Sequence, residues 1–533
     1  MRTAFAPATA AVAATLLLAA CTAQAGADPG ADDGKPVAGG TLTYVVGTDV
    51  LCVDPQQAGN GDELTVARGL VDSLTDQDPK TGKIIPWLAE SWKVSPDATS
   101  YTFRLRSGVT FSDGSALDAE AVKDNFDGFR KLGARAVQAG TYLTGYKAAE
   151  VVDKHTVRIE FSRPNVKFLQ ATTTVSLGVV APSSLGRAAG ERCSRGVIGS
   201  GPFTLARFVR NQQVEEPARK GYAWGSALAG GKVAPHLKKL VIKVVPEEGV
   251  RSGGLQSGEF DATGAVSPQD EETLRTTGFG LSTRPSPGLV YSLNVNASRP
   301  ATRDVAVRRA LQRAVDRKEV VDTVLSSGYR PATSVLASTT PSYTDLTKRL
   351  TTDPAAARKL LDGAGWKPGS DGIRSKNGTR LRLVTVWYGG AGIVQSSLEL
   401  IQQQFKAVGV ELSLKPVPIA KALATFKAGD YDLIVGSSAT ADPDILRNYY
   451  TAEGLDAVRL TAGPLLTALH AQAAESDPAA RDRQVATAQR LIVDDAYGLP
   501  LYESSAVIGL SPKVHGVSFD SLSRPRFSGA WLS

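Results

Sequence analysis

Leu381-Arg382-Leu383-Val384-Thr385-Val386-Trp387-Tyr388 is rich in β-branched and aromatic residues and reads as a strand. Val394, Leu398, Ile401, Phe405 and Val408 follow at spacings of 4, 3, 4 and 3, the stripe of an amphipathic helix, and Gly409 stops it. Val410 to Val417 is again a strand, Ala422 to Ala428 a short helix, and Tyr431 to Val435 a third strand. Strands that alternate with helices need crossover connections. This run therefore predicts parallel strand pairs flanked by helices, and with them an α/β fold.

The flanking sequence fits the same class. Upstream, Lys376-Asn377-Gly378-Thr379 is a hairpin turn. Asp304 caps a helix whose apolar stripe runs Val307, Ala310, Leu311, Ala314, Val315, Val321 and Val324. Further back, Thr156 to Phe161 and the alternating Tyr101-Thr102-Phe103-Arg104-Leu105-Arg106 read as strands. After the Asp113-Gly114 turn, Asp118 caps a helix through Phe129, with Val122, Phe126 and Phe129 on one face. A helix is expected from Leu64 to Leu74, and a strand from Thr41 to Val46 behind Gly39-Gly40. Between them runs a loop with Asp54-Pro55 and Gly59-Asn60-Gly61. No internal repeat is visible.

The chain has 533 residues, enough for about three domains, and its 42% hydrophobic content excludes global disorder. Lys and Arg number 60 against 53 Asp and Glu, a formal charge of +7. That excess is small and scattered, so no nucleic-acid partner is expected, since one would need a basic patch or stripe. Four isolated His and three Cys, none at ligand spacing, do not make a Cys/His metal cluster.

Residues 1–20 read as a signal peptide: Arg2 is followed by an apolar run from Ala4 to Ala20, too short and too weakly apolar to span a membrane. The run ends Leu18-Ala19-Ala20-Cys21, which resembles the bacterial lipobox. That likeness implies cleavage before Cys21 and a lipid on its thiol, holding the chain at the membrane. Residues 21–38 then form a flexible Ala/Gly/Asp/Pro tether. No later segment approaches 18 apolar residues, so the remainder is expected outside the membrane, on the periplasmic or cell-surface side. Loss of Arg2 with the peptide leaves a mature charge of +6. Thiols oxidise in that compartment, and with Cys21 lipidated, Cys52 and Cys193 are left as one expected disulfide.

Five blocks, in order, carry a resemblance. They are Trp87-Leu88-Ala89-Glu90-Ser91-Trp92 with Tyr101 to Gly114; Gly199-Ser200-Gly201-Pro202-Phe203; Gly258-Glu259-Phe260-Asp261; Val307 to Leu311 with Ala314-Val315-Asp316-Arg317; and Gly429-Asp430-Tyr431-Asp432-Leu433 with Asp442-Pro443-Asp444. Over nearly all of 40–520 the chain resembles family 5 extracellular solute-binding proteins, the peptide, nickel and opine receptors of ABC importers. Asp78-Pro79-Lys80-Thr81-Gly82 and Ala441 to Arg447 are similar to one subgroup of it. The resemblance implies a two-lobed periplasmic-binding-protein-like fold with a third small domain inserted in the first lobe. By analogy lobe I takes 39–70, 197–290 and 504–533, the extra domain 71–196 and lobe II 291–503. The crossings between lobes are expected near Tyr291-Ser292-Leu293-Asn294 and Leu499-Pro500-Leu501-Tyr502. A monomer that traps a small or peptide-like solute by hinge closure and hands it to an ABC permease is implied, with no cofactor.

The resemblance places ligand contacts at Gln57 and Asn60 in the first loop, at Trp387, Tyr388 and Gly389, and at Ser437, Ser438, Thr440 and Asp442. Asp442 also reads as part of a structural Asp-Pro-Asp turn. Peptide-binding members hold the ligand ammonium with an Asp in the loop before that turn. Here the loop is Gly436-Ser437-Ser438-Ala439-Thr440-Ala441, one residue shorter and without an acid. An unpaired buried charge is costly, so a free amine anchored there is not expected. A capped peptide, a siderophore-like or glycosylated molecule, or an opine-like compound fits better. Direct side-chain ligation of a metal is not expected either, because the single Met is the initiator and His is sparse.

Enzyme motifs are weak. Gly199-Ser200-Gly201 lacks the Gly-x-Ser-x-Gly frame of a nucleophile elbow, and Thr81-Gly82-Lys83-Ile84 lacks the first Gly and the Ser/Thr of a phosphate loop. The alternatives kept open are a lipoprotein that uses the same fold for sensing or adhesion, and a secreted hydrolase with a dispersed triad.

Overall fold

A computed structural model describes residues 34–228, 234–388 and 392–533, together with Met1 and Gly231. Cys21 and Gly389 lie outside the described residues. Two large sheets and one smaller sheet organise the chain. The first has seven strands, in the spatial order Gly280–Pro285, Ser505–Leu510, Ala262–Gly264, Thr41–Val46, Lys239–Val244, Gln213–Pro217 and Arg207–Val209. Thr41–Val46 pairs in parallel with both of its neighbours. The second has six strands, in the order Arg330–Pro331, Gly498–Glu503, Gly288–Val295, Leu433–Ala439, Arg382–Tyr388 and Glu411–Val417. The third has four antiparallel strands, Ala89–Val94, Ser100–Leu105, Thr156–Phe161 and Tyr146–Asp153, and the helix Ala119–Leu132 packs on it.

The β-α-β-α-β stretch forms as its periodicity demands. Arg382–Tyr388 pairs in parallel with Glu411–Val417 on one side and Leu433–Ala439 on the other. The helix Gly392–Ala407 buries Leu398, Ile401 and Phe405 against that sheet. Gly409 follows with φ 88°, a left-handed backbone that glycine adopts without strain. Asn377 and Gly378, both at positive φ, close the hairpin in which Lys376 faces Thr379.

One expected stripe is broken. Val307 to Val324 splits into the helices Val305–Ala314 and Arg317–Val324, because the Asp316 carboxylate accepts from the backbone N–H of Glu319 and starts a new helix. The buried Arg317 guanidinium then donates to the Pro500 carbonyl at 2.7 Å and to the Leu350 carbonyl at 3.1 Å.

The passage between the large sheets also differs from the sequence reading. Tyr291 to Asn294 and Leu499 to Tyr502 face one another inside the second sheet, and both runs are mostly buried, as interior strands must be. The chain leaves that sheet at Ser286–Pro287 and at Ser504 instead, between consecutive strands that belong to different sheets. The Ser286 N–H donates to the Ser504 carbonyl at 2.7 Å, so the two connecting segments are tied together.

A disulfide joins Cys52 to Cys193. Around it the first loop is stitched to the segment after the small sheet. Arg192 meets the fully buried Asp54 at 2.8 Å, and Gln56 donates to Asn125 at 2.6 Å. Gly199 and Gly201 pass so close to the backbone of Leu70 that any side chain there would overlap it, which accounts for both glycines in Gly199-Ser200-Gly201-Pro202.

Candidate functional site

Between the two large sheets lies a cavity of about 670 Å³. The first sheet and its flanking segments contribute Tyr44, Asp62, Glu248, Gly264, Ile508 and Arg524. The second contributes Tyr291, Tyr329, Tyr502, Val324, Ile393 and Ser396. Ser504 and Ser505, at the connection between the sheets, form part of the wall. The cavity is bounded by both large sheets and, on one side, by the tied connecting segments.

Local sequence explains the placement. Asn60 caps the helix Gly61–Leu70, and Asp62 falls in its first turn at the cavity edge, where it accepts from the Thr48 N–H at 3.0 Å. Burial raises the Asp62 carboxyl above its ordinary range, against the pull of that hydrogen bond. Tyr44 lies on the central strand of its sheet, and a Cβ on Gly264 would collide with its hydroxyl, so the glycine makes room for the ring. Tyr291 stacks on Tyr502 with ring centroids 4.9 Å apart, and Tyr329 meets Tyr502 edge-on at 6.3 Å. Burial pushes the Tyr329 hydroxyl up to about 12 and raises that of Tyr502 further, so both rings present neutral hydroxyls at physiological pH. Among the described residues Arg524 makes no side-chain hydrogen bond or ion pair, and it is the one cation in this wall.

Of the contacts anticipated from sequence, Gln57, Asn60, Trp387, Ser437, Ser438, Thr440 and Asp442 are not among the residues that line this cavity. Gln57 is buried and donates to the Asp54 carboxylate at 2.6 Å and the Ala189 carbonyl at 2.9 Å, so it fastens the first loop. Asn60 completes a capping box with Glu63. Trp387 is buried in the core of the second sheet. Tyr388 ends its strand. Ser437, Ser438 and Thr440 are half-buried at the end of Leu433–Ala439, where Thr440 donates its N–H to the Pro287 carbonyl at 3.0 Å. Asp442 is buried and paired with Arg481 at 2.7 Å, which makes it structural: the carboxylate already has its cation. Sequence reasoning passed over Tyr44, Asp62, Tyr291, Tyr329, Tyr502 and Arg524. Strand tyrosines read as core and a first-turn acid reads as helix capping; only the position of the sheet ends separates them from those roles.

Relatives agree with this architecture. A family profile described as bacterial extracellular solute-binding proteins, family 5 Middle, matches residues 83–456. The chain is 30% identical over 345 residues to the nickel-binding periplasmic protein of Escherichia coli, covering 62% of this chain and 63% of that one. It is 25% identical over 491 residues to the probable D,D-dipeptide-binding periplasmic protein DdpA of the same organism, covering 89% and 90%. The crystal structure of NikA from Brucella suis in complex with Fe(III)-EDTA superposes with a TM-score of 0.82 at 26% identity, over 93% of this chain and all of that one. The match spans more than half the chain, the relatives are solute-binding proteins rather than enzymes, and the two-lobed fold is shared: this chain belongs to family 5 of the bacterial extracellular solute-binding proteins.

Proposed function

We propose that this chain is the extracytoplasmic substrate-binding lipoprotein of an ABC importer, a monomer tethered through Cys21 and residues 22–38, which captures a peptide-like or other small organic solute by hinge closure and passes it to a permease. The observation that supports this reading is the cavity walled by both large sheets, whose connecting segments at Ser286–Pro287 and Ser504 are tied by a hydrogen bond. Its described lining holds tyrosines, serines, two carboxylates and one guanidinium, with no histidine or cysteine. That lining suits an organic solute better than a bare metal ion. The names of the relatives, a nickel-binding and a dipeptide-binding protein, set the range of cargo to be screened.

A ligand closes the lobes only by binding the closed form more tightly than the open one. Small-angle scattering with growth-medium extracts is expected to show compaction, and deletion of the partner permease is expected to abolish uptake of the compacting solute. Cys21→Ala is expected to release the chain from membranes; unchanged fractionation with the membrane would remove the anchor from the proposal. A sensing or adhesion role predicts instead that permease deletion leaves the phenotype intact.

A further inference from the structure

On the first sheet's side, the consecutive residues Ala265, Val266, Ser267, Pro268 and Gln269 form one rim of the cavity. Both ends of that rim are fastened by neighbouring residues of a single helix, Glu248–Gln256. At one end the Arg251 guanidinium donates to the Ala265 carbonyl at 3.3 Å. At the other the Ser252 hydroxyl donates at 2.8 Å to the Asp270 carboxylate, which also accepts from the Ser267 hydroxyl at 2.9 Å. Arg251 reaches further, donating to the Val245 and Pro246 carbonyls at 2.9 and 2.7 Å. It thereby ties the end of the strand Lys239–Val244 to the end of Ala262–Gly264, the two neighbours of Thr41–Val46. Gly47, just after that central strand, passes so close that a Cβ there would sit 3.0 Å from Arg251 Nη1. Ala265 itself has φ 50°, a left-handed backbone that a non-glycine residue keeps only where its surroundings hold it. Arg251 is 3% exposed and does not line the cavity. Its acceptors are carbonyl oxygens, which satisfy its N–H groups without cancelling its charge, so the charge acts on groups further off.

Resting on the solute-binding reading above, we infer that Arg251 is a positioning residue of the solute site: it holds the rim 265–269 in its strained backbone and supplies the buried positive charge that governs Asp62 in the same wall. The groups around Asp62 bear this out. Burial is the largest influence on its carboxyl and raises it; the Thr48 hydrogen bonds and the Arg251 charge pull it down, and Glu63 pushes it up. Tyr44 feels both Asp62 and Arg251, while Glu248 and Arg524 stand in the same wall. Removal of Arg251 therefore loosens the rim and leaves Asp62 protonated up to a higher pH.

The full-length wild type is compared with Arg251→Met, which loses the fork and the charge, and with Arg251→Lys, which keeps the charge alone. In the solute-free chain, hydrogen exchange at the Val266, Asp270 and Glu271 amides, each bonded in this fold, is expected to quicken about ten-fold or more in Arg251→Met while amides of the second sheet exchange as in the wild type. The Asp62 carboxyl, followed by carbon NMR and identified by its loss in Asp62→Asn, is expected to titrate at higher pH in Arg251→Met and near the wild-type pH in Arg251→Lys. An arginine with a structural role only would leave that titration where it is. Retention of solutes from a tryptic casein digest and from a growth-medium extract, read by mass spectrometry, is expected to fall about ten-fold in Arg251→Met. Ala265→Gly in that background is expected to recover part of the loss, since glycine keeps φ 50° unaided. Unchanged rim exchange or an unchanged Asp62 titration in Arg251→Met would overturn the inference while the solute-binding reading stands. If Arg251→Met does not fold, Arg251→Lys decides: rim exchange no faster than in the wild type overturns the inference. If the wild type retains nothing from either mixture, the solute-binding reading fails and takes the positioning role with it.

Discussion

Glu216 lies on the strand Gln213–Pro217 with no exposure, and neither of its carboxyl oxygens has a hydrogen-bond partner among the described residues. Burial raises its pKa well above the ordinary value of 4.5, so the folded chain keeps it protonated while the unfolded chain ionises it. Its contribution to stability is therefore complete below about 4.5 and is lost as pH rises toward the folded value. Glu216→Met keeps the volume and removes the unsatisfied acid. It is expected to stabilise the fold at pH 8 by about 1–3 kcal/mol, and by less at pH 5, in urea unfolding. A Met variant no more stable than the wild type at pH 8 would show that the carboxyl is satisfied after all. Asp76 behaves in the opposite sense. It too is buried, which alone would raise its pKa, but Arg526 meets it through two contacts of 2.7 Å and holds it below the usual range. That contribution is present above the unfolded value and lost as pH falls through the folded one. Asp76→Asn would leave the buried Arg526 charge without its counterion, and is expected to cost about 3–5 kcal/mol at pH 7 by the same measurement. Sequence alone does not distinguish these two acids, because burial depends on which strands become neighbours.

At the scale of elements, sequence was most legible where a local rule had no competitor. The strand Thr156–Phe161, the Asp118 cap, the Asn377-Gly378 turn and the parallel pairs around Arg382–Tyr388 each follow from periodicity or backbone chemistry within a few residues. It was least legible where two local rules competed, as at Asp316, whose capping preference overrode the apolar stripe. It was also poor at the crossings, where buried interior strands and inter-sheet connectors are both apolar and only pairing tells them apart. The site suffered most. The residues that line the cavity are scattered from Tyr44 to Arg524 and meet only through the tertiary fold, while Gln57 and Asn60 hold the loop itself. The capping rule permits a direct test. The Asp304 side chain accepts from the Ala306 N–H at 2.9 Å and starts the helix Val305–Ala314, whose Val307, Ala310, Leu311 and Ala314 are buried in the second-lobe core. Asp304→Ala is expected to cost about 1 kcal/mol, seen as a lower urea midpoint at unchanged slope. A changed slope would mean that the helix unravels rather than merely losing its cap.

For the whole molecule, what matters is how the lobes are held together away from Ser286–Pro287 and Ser504. Lys167, from the segment that follows the small sheet, reaches Asp444 of the second lobe at 3.4 Å, and the Ser476 hydroxyl donates to the Pro96 carbonyl across the same boundary. Asp444 also receives Arg447 and Gln472, each contact near 2.6 Å. Burial by itself would raise the Asp444 carboxyl, yet Arg447 and Lys167 hold it below the usual carboxylate range, so the cluster is charged and intact at neutral pH and weakens only as pH falls through that lowered value. Asp-Pro-Asp therefore does two jobs: Asp442 is locked to Arg481 within the lobe, and Asp444 extends a hand across it. Lys167 is about one-fifth exposed, so the pair is worth on the order of 1 kcal/mol and is screened by salt. That is enough to change a closed-to-open ratio about five-fold. Lys167→Ala is accordingly expected to raise the radius of gyration of the solute-free chain at low salt, to weaken solute binding by a similar factor, and to leave the global unfolding midpoint almost unmoved, since Asp444 keeps Arg447 and Gln472. High salt should bring the wild type toward the variant. Scattering curves that coincide at every salt concentration would show that the pair decorates a boundary held by packing alone.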